Sequence, residues 1–206
     1  MIVSSLKKKN SSVELYFEDG NSIVVDYGVV VSNGIRKNDD LSQDKIEYLL
    51  NRSELKKIQN YAFRFLGIRN HSSLEIKLKL FKKKFPHDLV NEAVNDLLDR
   101  NILNDQQFAQ QYLEEKTTKG KSGPGKIKSE LIRKGISREI LEELFAKADN
   151  TQTIETALKL AIKKQKSIKE KDFKKSKQKI FSFLHNKGFD SDIIANVLNK
   201  LKLDDE

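Results

Sequence analysis

Hydrophobic residues recur in this chain in a pattern that repeats about every fifty positions. In the stretch 123–145, Ile127 and Leu131 lie four residues apart on one helical face, Ile136 follows alone, and Ile140 and Leu141 form an adjacent pair. The five positions return 51 residues earlier and 53 residues later, as Ile76, Leu80, Phe85, Leu89 and Val90 and as Ile180, Leu184, Phe189, Ile193 and Ile194. Each copy predicts a helix, a tight turn and a second helix. Three copies are about the minimum for stacked repeats with a continuous core.

A further helix precedes each copy of this pattern. Apolar residues at helical spacing predict one such helix over residues 53–66, one after residue 104 and one after residue 151. The apolar stripe of the first is Leu55, Ile58, Ala62, Phe65 and Leu66. The stripe of the second is Phe108, Ala109, Tyr112 and Leu113, and that of the third is Ile154, Ala157, Leu158, Ala161 and Ile162. Gly67 ends the first of these helices, and Ser72 with Glu75 has the form of a capping box for the helix that follows. Pro86 lies where a third helix can begin.

The first 53 residues have a different pattern. Their β-branched and aromatic residues predict three strands, at 13–17, 22–25 and 27–31. Asp19-Gly20 is a turn signal between the first two strands. A small antiparallel hairpin or meander needs a cover, and a helix over residues 41–51, with Ile46, Leu49 and Leu50 on one face, can provide it.

These elements predict a mainly α fold. We expect a tandem array of three three-helix repeats, elongated in shape, preceded by a small N-terminal antiparallel β-hairpin or meander plus helix. The predicted domains are residues 1–53, 54–103, 104–149 and 150–206. With 37% hydrophobic residues and no tryptophan, the composition fits thin cores in an elongated helical protein better than one compact globule.

The charge of the chain is positive and uneven. The formal net charge is +9, which favours nucleic acid or an acidic protein surface as a partner. Residues 151–189 contain eleven lysines against three acidic residues, so the third repeat is the most basic part of the molecule. A solvated face that keeps the protein soluble is the alternative interpretation.

Several protein classes are disfavoured by what the sequence lacks. Without cysteine there are no disulfides and no thiolate metal sites, and a reducing compartment is permitted. No apolar run is long enough to span a membrane, and the N-terminal residues lack a secretory apolar core. We therefore expect a cytoplasmic protein.

One loop has part of a phosphate-binding motif. Gly120, four further residues, Gly125 and Lys126 match most of the pattern, but Ile127 replaces the serine or threonine that would hold magnesium. The preceding segment 108–116 also predicts a helix instead of the strand that the motif requires. Nucleotide hydrolysis is thereby disfavoured. The loop, taken as residues 117–125, is either an anion-binding corner with backbone amides and Lys119, Lys121 and Lys126, or a flexible linker with proline in the first helical turn.

No other residue group predicts catalysis, a cofactor or a metal site. His71, His87 and His185 fall in different helices or loops without metal-ligand spacing, and we expect them to be surface or capping residues. Phe173, Phe181 and Phe183 lie among lysines and can stack on the bases of a single strand. Since Phe181 and Phe183 are about 200° apart on a helix, one of them is expected to be exposed, and core packing is favoured for Phe183.

Three motifs resemble those of the RecX family of regulatory proteins, which bind and restrain the RecA recombinase. The first resembles the family's R-x-x-S-x-x-E-L, with Arg69, Ser72 and Glu75. The second resembles G-L-L-D-D-x-x-F-A-x-x-Y, with Asp105, Phe108 and Tyr112. The third and strongest resembles G-x-x-x-I-x-x-E-L-x-x-K-G-I, with Gly123, Ile127, Glu130, Leu131, Lys134, Gly135 and Ile136. The resemblance covers nearly the whole chain, because the N-terminal strands and helix are similar to the β-containing extension of longer members.

The sequence departs from the family at a few positions. Lys84 and Asn101 stand where the family usually has glycine, and Asn104 stands for an aspartate. Because lysine tolerates a positive φ less well than glycine, the turn at Lys84 is expected to differ in shape from its counterparts.

The resemblance implies a non-enzymatic regulator. A member of this family forms a curved array of three-helix repeats that lodges in the groove of a RecA filament on DNA, caps its growth, and lowers its recombination, ATPase and coprotease output. This role would place the protein in DNA repair, recombination and the SOS response. The alternative is a helical-repeat protein that binds single-stranded or duplex DNA directly and acts by competition.

The candidate contacts to RecA or DNA are basic residues of the second and third repeats. They are Lys119, Lys121, Lys126, Lys128, Arg133, Lys134, Lys163, Lys164, Lys166, Lys171, Lys174, Lys175, Lys177 and Lys179. Such lysine clusters give salt-sensitive attraction to DNA or to an acidic groove. We expect the protein to act as a monomer, without a membrane partner.

Overall fold

The structure, a computed structural model, describes residues 1–146, 150–168 and 172–201. These residues form three strands and ten helices, so the fold is mainly α with a small N-terminal antiparallel sheet, as predicted. The chain divides into two compact units, Met1–Leu103 and Asn104–Glu206.

The sheet is a three-stranded meander in the order β1-β2-β3. Its strands are β1 (Val3–Lys9), β2 (Ser12–Phe17) and β3 (Ser22–Asp26), each antiparallel to the next. β2 alternates between the two faces and buries Val13, Leu15 and Phe17. The predictions of β2 and β3 are confirmed. β1 was not predicted, because its run of lysines is exposed and gives no hydrophobic alternation.

The prediction of a strand at 27–31 is wrong. This segment begins helix α1 (Tyr27–Ser32). The Asp26 carboxylate accepts hydrogen bonds from the backbone nitrogens of Gly28 (2.8 Å) and Val29 (3.3 Å), which caps the helix despite its β-branched residues. Val29 and Val30 are buried in the same cluster as the inner face of the sheet.

One helix spans the region where two were predicted. Helix α2 (Gln43–Leu66) starts on the cap Ser42 and runs without a break to Gly67, so separate helices over 41–51 and 53–66 are wrong. The segment contains no glycine or proline. Instead of starting a helix, Ser53 accepts a hydrogen bond from the Asp26 backbone nitrogen (2.8 Å). Leu50 is exposed because it lies about 100° from the buried Leu49.

The first repeat is completed by helices α3 (Ser73–Lys82) and α4 (His87–Asp99). Ser72 and Glu75 form the predicted capping box, and α4 begins directly after Pro86. α2, α3 and α4 share one hydrophobic cluster, whose buried members include Ile58, Leu80 and Leu97. Thus α2 supplies residues both to this cluster and, through Ile46 and Leu49, to the cluster under the sheet.

The second unit contains the other two repeats. Its helices are α5 (Asp105–Lys119), α6 (Pro124–Arg133), α7 (Arg138–Ala146), α8 (Asn150–Gln165), α9 (Phe173–Asn186) and α10 (Ser191–Lys200). Asn104 caps α5, because its side-chain oxygen accepts a hydrogen bond from the Gln107 backbone nitrogen (2.8 Å). Each repeat has its own hydrophobic cluster. One predicted core residue, Ile162, is instead 41% exposed, because it lies about 100° from the buried Ala161.

The five-position pattern is confirmed in all three repeats. In every copy the first, second, third and fifth positions are buried and the fourth is half-buried. The helix pairs α3–α4, α6–α7 and α9–α10 thus use equivalent residues to close their cores.

The turn within each helix pair also has one conformation. Lys84, Gly135 and Gly188 occupy equivalent positions and have φ of 63°, 81° and 86°. Each donates its backbone nitrogen to the carbonyl three residues earlier, at 2.8 to 2.9 Å. The expectation of a different turn shape at Lys84 is therefore wrong: the lysine adopts the left-handed conformation that glycine adopts in the other repeats.

Candidate functional site

A polar network holds the N-terminus of α3. The guanidinium of Arg69 donates two hydrogen bonds to the carboxylate of Glu75, from Nη1 at 3.0 Å and from Nη2 at 3.2 Å. Glu75 also accepts from the Ser72 backbone nitrogen (3.4 Å), and the Ser72 hydroxyl accepts from the Glu75 backbone nitrogen (3.2 Å). The first family-like motif is therefore a capping box with an arginine clamp, which is a structural arrangement.

A buried histidine lies inside this network. His71 is only 2% exposed, so the expectation of a surface or capping histidine is wrong for this residue. Its Nδ1 lies 2.8 Å from the Arg69 carbonyl and its Nε2 lies 2.6 Å from Lys79 Nζ. Burial lowers the pKa of His71, and the charges of Arg69 and Lys79 lower it further. The neutral ring can donate to the carbonyl and accept from the ammonium group.

His87 and His185 are exposed, as predicted. The His87 ring stacks on Phe81, with 4.1 Å between ring centres, and the His185 ring is stacked with Phe181 at 6.2 Å. Among the described residues, no cluster of histidine and carboxylate side chains could hold a metal ion. None of the described helices has the length and apolar character needed to cross a membrane.

The second and third family-like motifs meet in the second repeat. The Tyr112 hydroxyl on α5 donates to Glu130 Oε2 on α6 at 2.7 Å, and Lys116 Nζ lies 3.4 Å from the same oxygen. The hydrogen bond from Tyr112 lowers the pKa of Glu130, with the charge of Lys116 adding to the effect. Burial raises the pKa of Tyr112, and the bond to Glu130 raises it further. Phe108 packs beneath this pair with Ile127, Leu131 and Ile136.

Each helix pair places a lysine above an aromatic ring at its turn. Lys134 Nζ lies 5.2 Å from the centre of the Tyr112 ring, and the equivalent Lys83 lies 5.7 Å from Tyr61. The third equivalent residue, Lys187, lies 5.6 Å from Phe183. These distances are those of cation–π contacts. The three lysines are equivalent, but the rings are not: Tyr61 and Tyr112 lie on the helix before the pair, and Phe183 lies on α9 itself. Of the three lysines, Lys134 was among the predicted contacts.

The structure replaces the predicted loop at 117–125 by a tight connection. α5 continues to Lys119 and ends on Gly120, and α6 begins at Pro124. α6 therefore has proline in its first turn, as predicted. The predicted helix before the glycines is confirmed, and Ile127 is buried in the core of the repeat, so both observations disfavour a phosphate-binding loop.

The start of α6 is joined to the third repeat. Gly123 donates its backbone nitrogen to the Lys187 carbonyl (2.7 Å), and Gly125 donates to the Gly188 carbonyl (2.9 Å). A β-carbon on Gly123 would lie 2.5 Å from the Gly188 carbonyl oxygen. These two amides are used within the protein, so the predicted anion-binding corner cannot use them.

The predicted basic contacts have varied surroundings. Lys119 pairs with Glu115, Lys175 Nζ lies 3.9 Å from Asp172, and Lys164 Nζ lies 5.6 Å from the centre of the Phe183 ring. The exposed members are Lys119, Lys121, Arg133, Lys163, Lys166, Lys174, Lys175 and Lys179, and the half-buried members are Lys126, Lys128, Lys134, Lys164 and Lys177. Lys171 and the side chain of Phe173 lie outside the described residues. Phe183 packs against the core of the third repeat and Phe181 is exposed, as expected.

Comparison with known protein families identifies two of the repeats. Residues 104–144 match the domain described as "RecX, second three-helix domain", and residues 150–198 match "RecX, third three-helix domain".

Curated relatives match almost the whole chain. A "Regulatory protein RecX" of Clostridium perfringens (strain 13 / Type A) is 31% identical over 95% of this chain and 92% of its own length. A "Regulatory protein RecX" of Clostridioides difficile (strain 630) is 30% identical over 99% of this chain and 96% of its own.

Two solved structures are similar to this one. "Crystal structure of regulatory protein RecX" superimposes with a TM-score of 0.83 over 96% of this chain and 98% of the other, at 20% identity, and this likeness shows the fold. "Crystal structure of RecX from Lactobacillus salivarius" gives 0.67 over 73% of this chain and 98% of the other, at 27% identity.

Proposed function

The chain belongs to the RecX family, and on that premise we propose that it binds RecA recombinase filaments on DNA and lowers their assembly, ATPase, recombination and coprotease activities. The observation that carries the proposal is the similarity to proteins named regulatory protein RecX over almost the full length of both chains. The protein acts in the cytoplasm as a monomer and by binding, without catalysing a reaction.

The surface chemistry of the repeats supports a binding role. Three-helix repeats present equivalent side chains at regular intervals, which suits an extended contact along a polymer. The turn lysines Lys83, Lys134 and Lys187 occupy equivalent sequence positions, and the ammonium group of each lies over an aromatic ring. With the exposed lysines of α8 and α9 they offer positive charge to an acidic protein groove or to phosphates.

The decisive experiment is RecA ATPase on single-stranded DNA with this protein titrated in at substoichiometric amounts. We expect ATP hydrolysis to fall at ratios well below one molecule per RecA, because a molecule that caps a filament blocks the addition of many subunits. If inhibition required amounts that cover the DNA, the protein would act by competition for DNA and the proposal would be wrong.

A variant separates filament binding from DNA binding. Replacing Lys174, Lys175, Lys177 and Lys179 by alanine removes four charges from α9. We expect this variant to inhibit RecA while its affinity for bare DNA falls. Equal affinity of the unmodified protein for DNA-bound RecA and for DNA alone, at matched salt, would contradict filament recognition.

A further inference from the structure

Helix α9 is one turn longer than its counterparts. α3 and α6 have 10 residues each and end at positions equivalent to the end of α9, which has 14. The additional turn, residues 173–176, lies at the N-terminal end of α9. It carries Lys174 and Lys175, whose side chains are exposed. The five-position core pattern of the repeat begins after this turn, at the buried Ile180, and within the turn Ser176 is buried.

The charge of α9 works against helix stability. Its 14 residues include four lysines and no aspartate or glutamate. Lysines in the first turn face the positive end of the helix dipole, and Lys175 and Lys179 form a like-charged pair one turn apart. Asp172 offsets part of this cost by accepting from the backbone nitrogens of Lys174 (2.9 Å) and Lys175 (3.2 Å). Because this concentration of positive charge lowers the stability of the helix, we take it as a sign of a surface that binds a negatively charged partner.

The same face of α9 exposes an aromatic pair. Phe181 is 37% exposed, and its ring is nearly parallel to the ring of His185, with 10° between the planes. The first and second repeats have Lys77 and Lys128 at the position equivalent to Phe181. The core of the third repeat is closed instead by Leu184 and the half-buried Phe183. An exposed aromatic side chain here is thus specific to the third repeat.

The basic and aromatic side chains lie along one stripe of the helix. Lys174, Gln178, Phe181 and His185 follow one another at spacings of four, three and four residues, and all four are exposed. A lysine at one end of the stripe and flat rings at the other match the two parts of a nucleotide, its phosphate and its base.

We propose that this stripe of α9, together with the adjacent Lys175, binds single-stranded nucleic acid: Lys174 and Lys175 contact phosphates, and an unpaired base stacks on Phe181 and His185. A duplex keeps its bases stacked on each other, so an aromatic side chain gains this contact only from an unpaired strand. An acidic protein would use the lysines but would leave the rings unmatched. The contact is independent of RecA and goes beyond the regulatory function proposed above.

A single-tryptophan reporter tests the stacking. The chain has no tryptophan, so Phe181→Trp introduces one fluorophore at the proposed contact. We expect quenching when oligothymidylate is added, and little quenching with an abasic oligonucleotide of the same length and charge. Ile132→Trp, at a residue of α6 that is 56% exposed, is the matched control and should show no such difference.

Binding measurements test the two halves of the stripe separately. Phe181→Ala is expected to weaken oligothymidylate binding about tenfold while leaving abasic binding unchanged. The double variant Lys174→Gln/Lys175→Gln should reduce the slope of log affinity against log salt by about 1.4, since each phosphate contact on a single strand contributes about 0.7. The control Lys7→Gln/Lys9→Gln, at two exposed lysines of β1, should leave affinity and slope unchanged.

Two results would overturn the proposal. One is an affinity of Phe181→Ala for oligothymidylate equal to that of the unmodified protein, together with equal quenching by the abasic strand. The other is displacement of oligothymidylate by polyglutamate at the same concentration of charges, which would identify an acidic protein surface as the partner. RecA is absent from these measurements, so their failure leaves the regulatory function to its own ATPase test.

Discussion

At the scale of single residues, the chain contains residues whose backbone conformation or burial costs free energy. Lys84 has a φ of 63° and Asn101 has a φ of 53°, a backbone conformation that costs free energy for any residue other than glycine. His71 is a buried titratable group whose neutral form is favoured. These positions give two predictions about stability.

Replacing Lys84 by glycine should stabilise the protein. The left-handed conformation costs a non-glycine residue about 1–2 kcal/mol, and glycine loses about 0.5–1 kcal/mol through its more flexible unfolded chain. We therefore expect the free energy of unfolding in urea to rise by about 0.5–1 kcal/mol. An unchanged or lower value would mean that the lysine side chain contributes more than its backbone costs. Lys82→Gly, within the last turn of α3, is the control and should destabilise.

Acidification should destabilise the protein through His71. Because burial lowers the folded-state pKa of this histidine, the unfolded chain binds the proton first as pH falls below about 6.5. The free energy of unfolding should decline from about pH 6.5 down to the lowered pKa, and His71→Gln should remove this part of the pH dependence. His87→Gln, at an exposed histidine, should leave it in place. Identical slopes for the His71 variant and the unmodified protein would contradict the prediction.

At the scale of secondary-structure elements, glycines join the second and third repeats. The start of α6 and the turn between α9 and α10 lie so close that Gly123 and Gly188 have no room for a β-carbon. The two backbone hydrogen bonds from Gly123 and Gly125 form across this contact. The contact accounts for the glycine-rich composition of the segment that begins α6.

Gly188→Ala should therefore destabilise the second unit strongly. The added β-carbon would collide with the backbone nitrogen of Lys126, and the residue would also keep a φ of 86°. We expect a loss of about 2–4 kcal/mol from strain and overpacking together. Gly20→Ala is a matched control, because Gly20 has the same φ with no atom within 4 Å of the added carbon, and should cost only about 1–2 kcal/mol. Similar losses in thermal unfolding would show that the contact at Gly188 is unimportant.

At the scale of the whole molecule, α2 connects the N-terminal sheet to the first repeat. Its first half packs under the sheet and its second half packs in the repeat, and residues 1–103 form one compact unit. The predicted boundary between residues 53 and 54 lies inside this helix. The boundary between residues 103 and 104 coincides with the division between the two units.

Truncations test this organisation. A fragment of residues 104–206 should unfold cooperatively with high helical content, because it keeps both of its hydrophobic clusters. A fragment of residues 54–206 would begin within α2 and lose the sheet and the capped start of that helix, so its first repeat should melt at a lower temperature or aggregate. Circular dichroism melting of both fragments checks the prediction. A stable, unchanged first repeat in the longer fragment would contradict it.

The sequence by itself determined the repeat pattern, several helix boundaries and the capping box at Ser72. These features depend on local spacing: Ile127 and Leu131 are buried because they share a helical face, and Ser72 caps α3 because Glu75 lies three residues later. The sequence also shows directly that α8 and α9 are rich in lysine, and the candidate contacts on these helices were chosen from those lysines.

Only the tertiary structure decided the features that depend on residues far apart in the chain. The valines at 29–30 became part of a helix that packs under the sheet, and Ser53 bonds to Asp26 within an unbroken α2. His71 became a core residue bonded to Lys79, and the glycines at 123–125, which resembled a phosphate loop, instead bind the carbonyls of Lys187 and Gly188. Local pattern fixes which face of an element is apolar, but the partner of that face and the hydrogen bonds of its backbone are set by elements elsewhere in the chain.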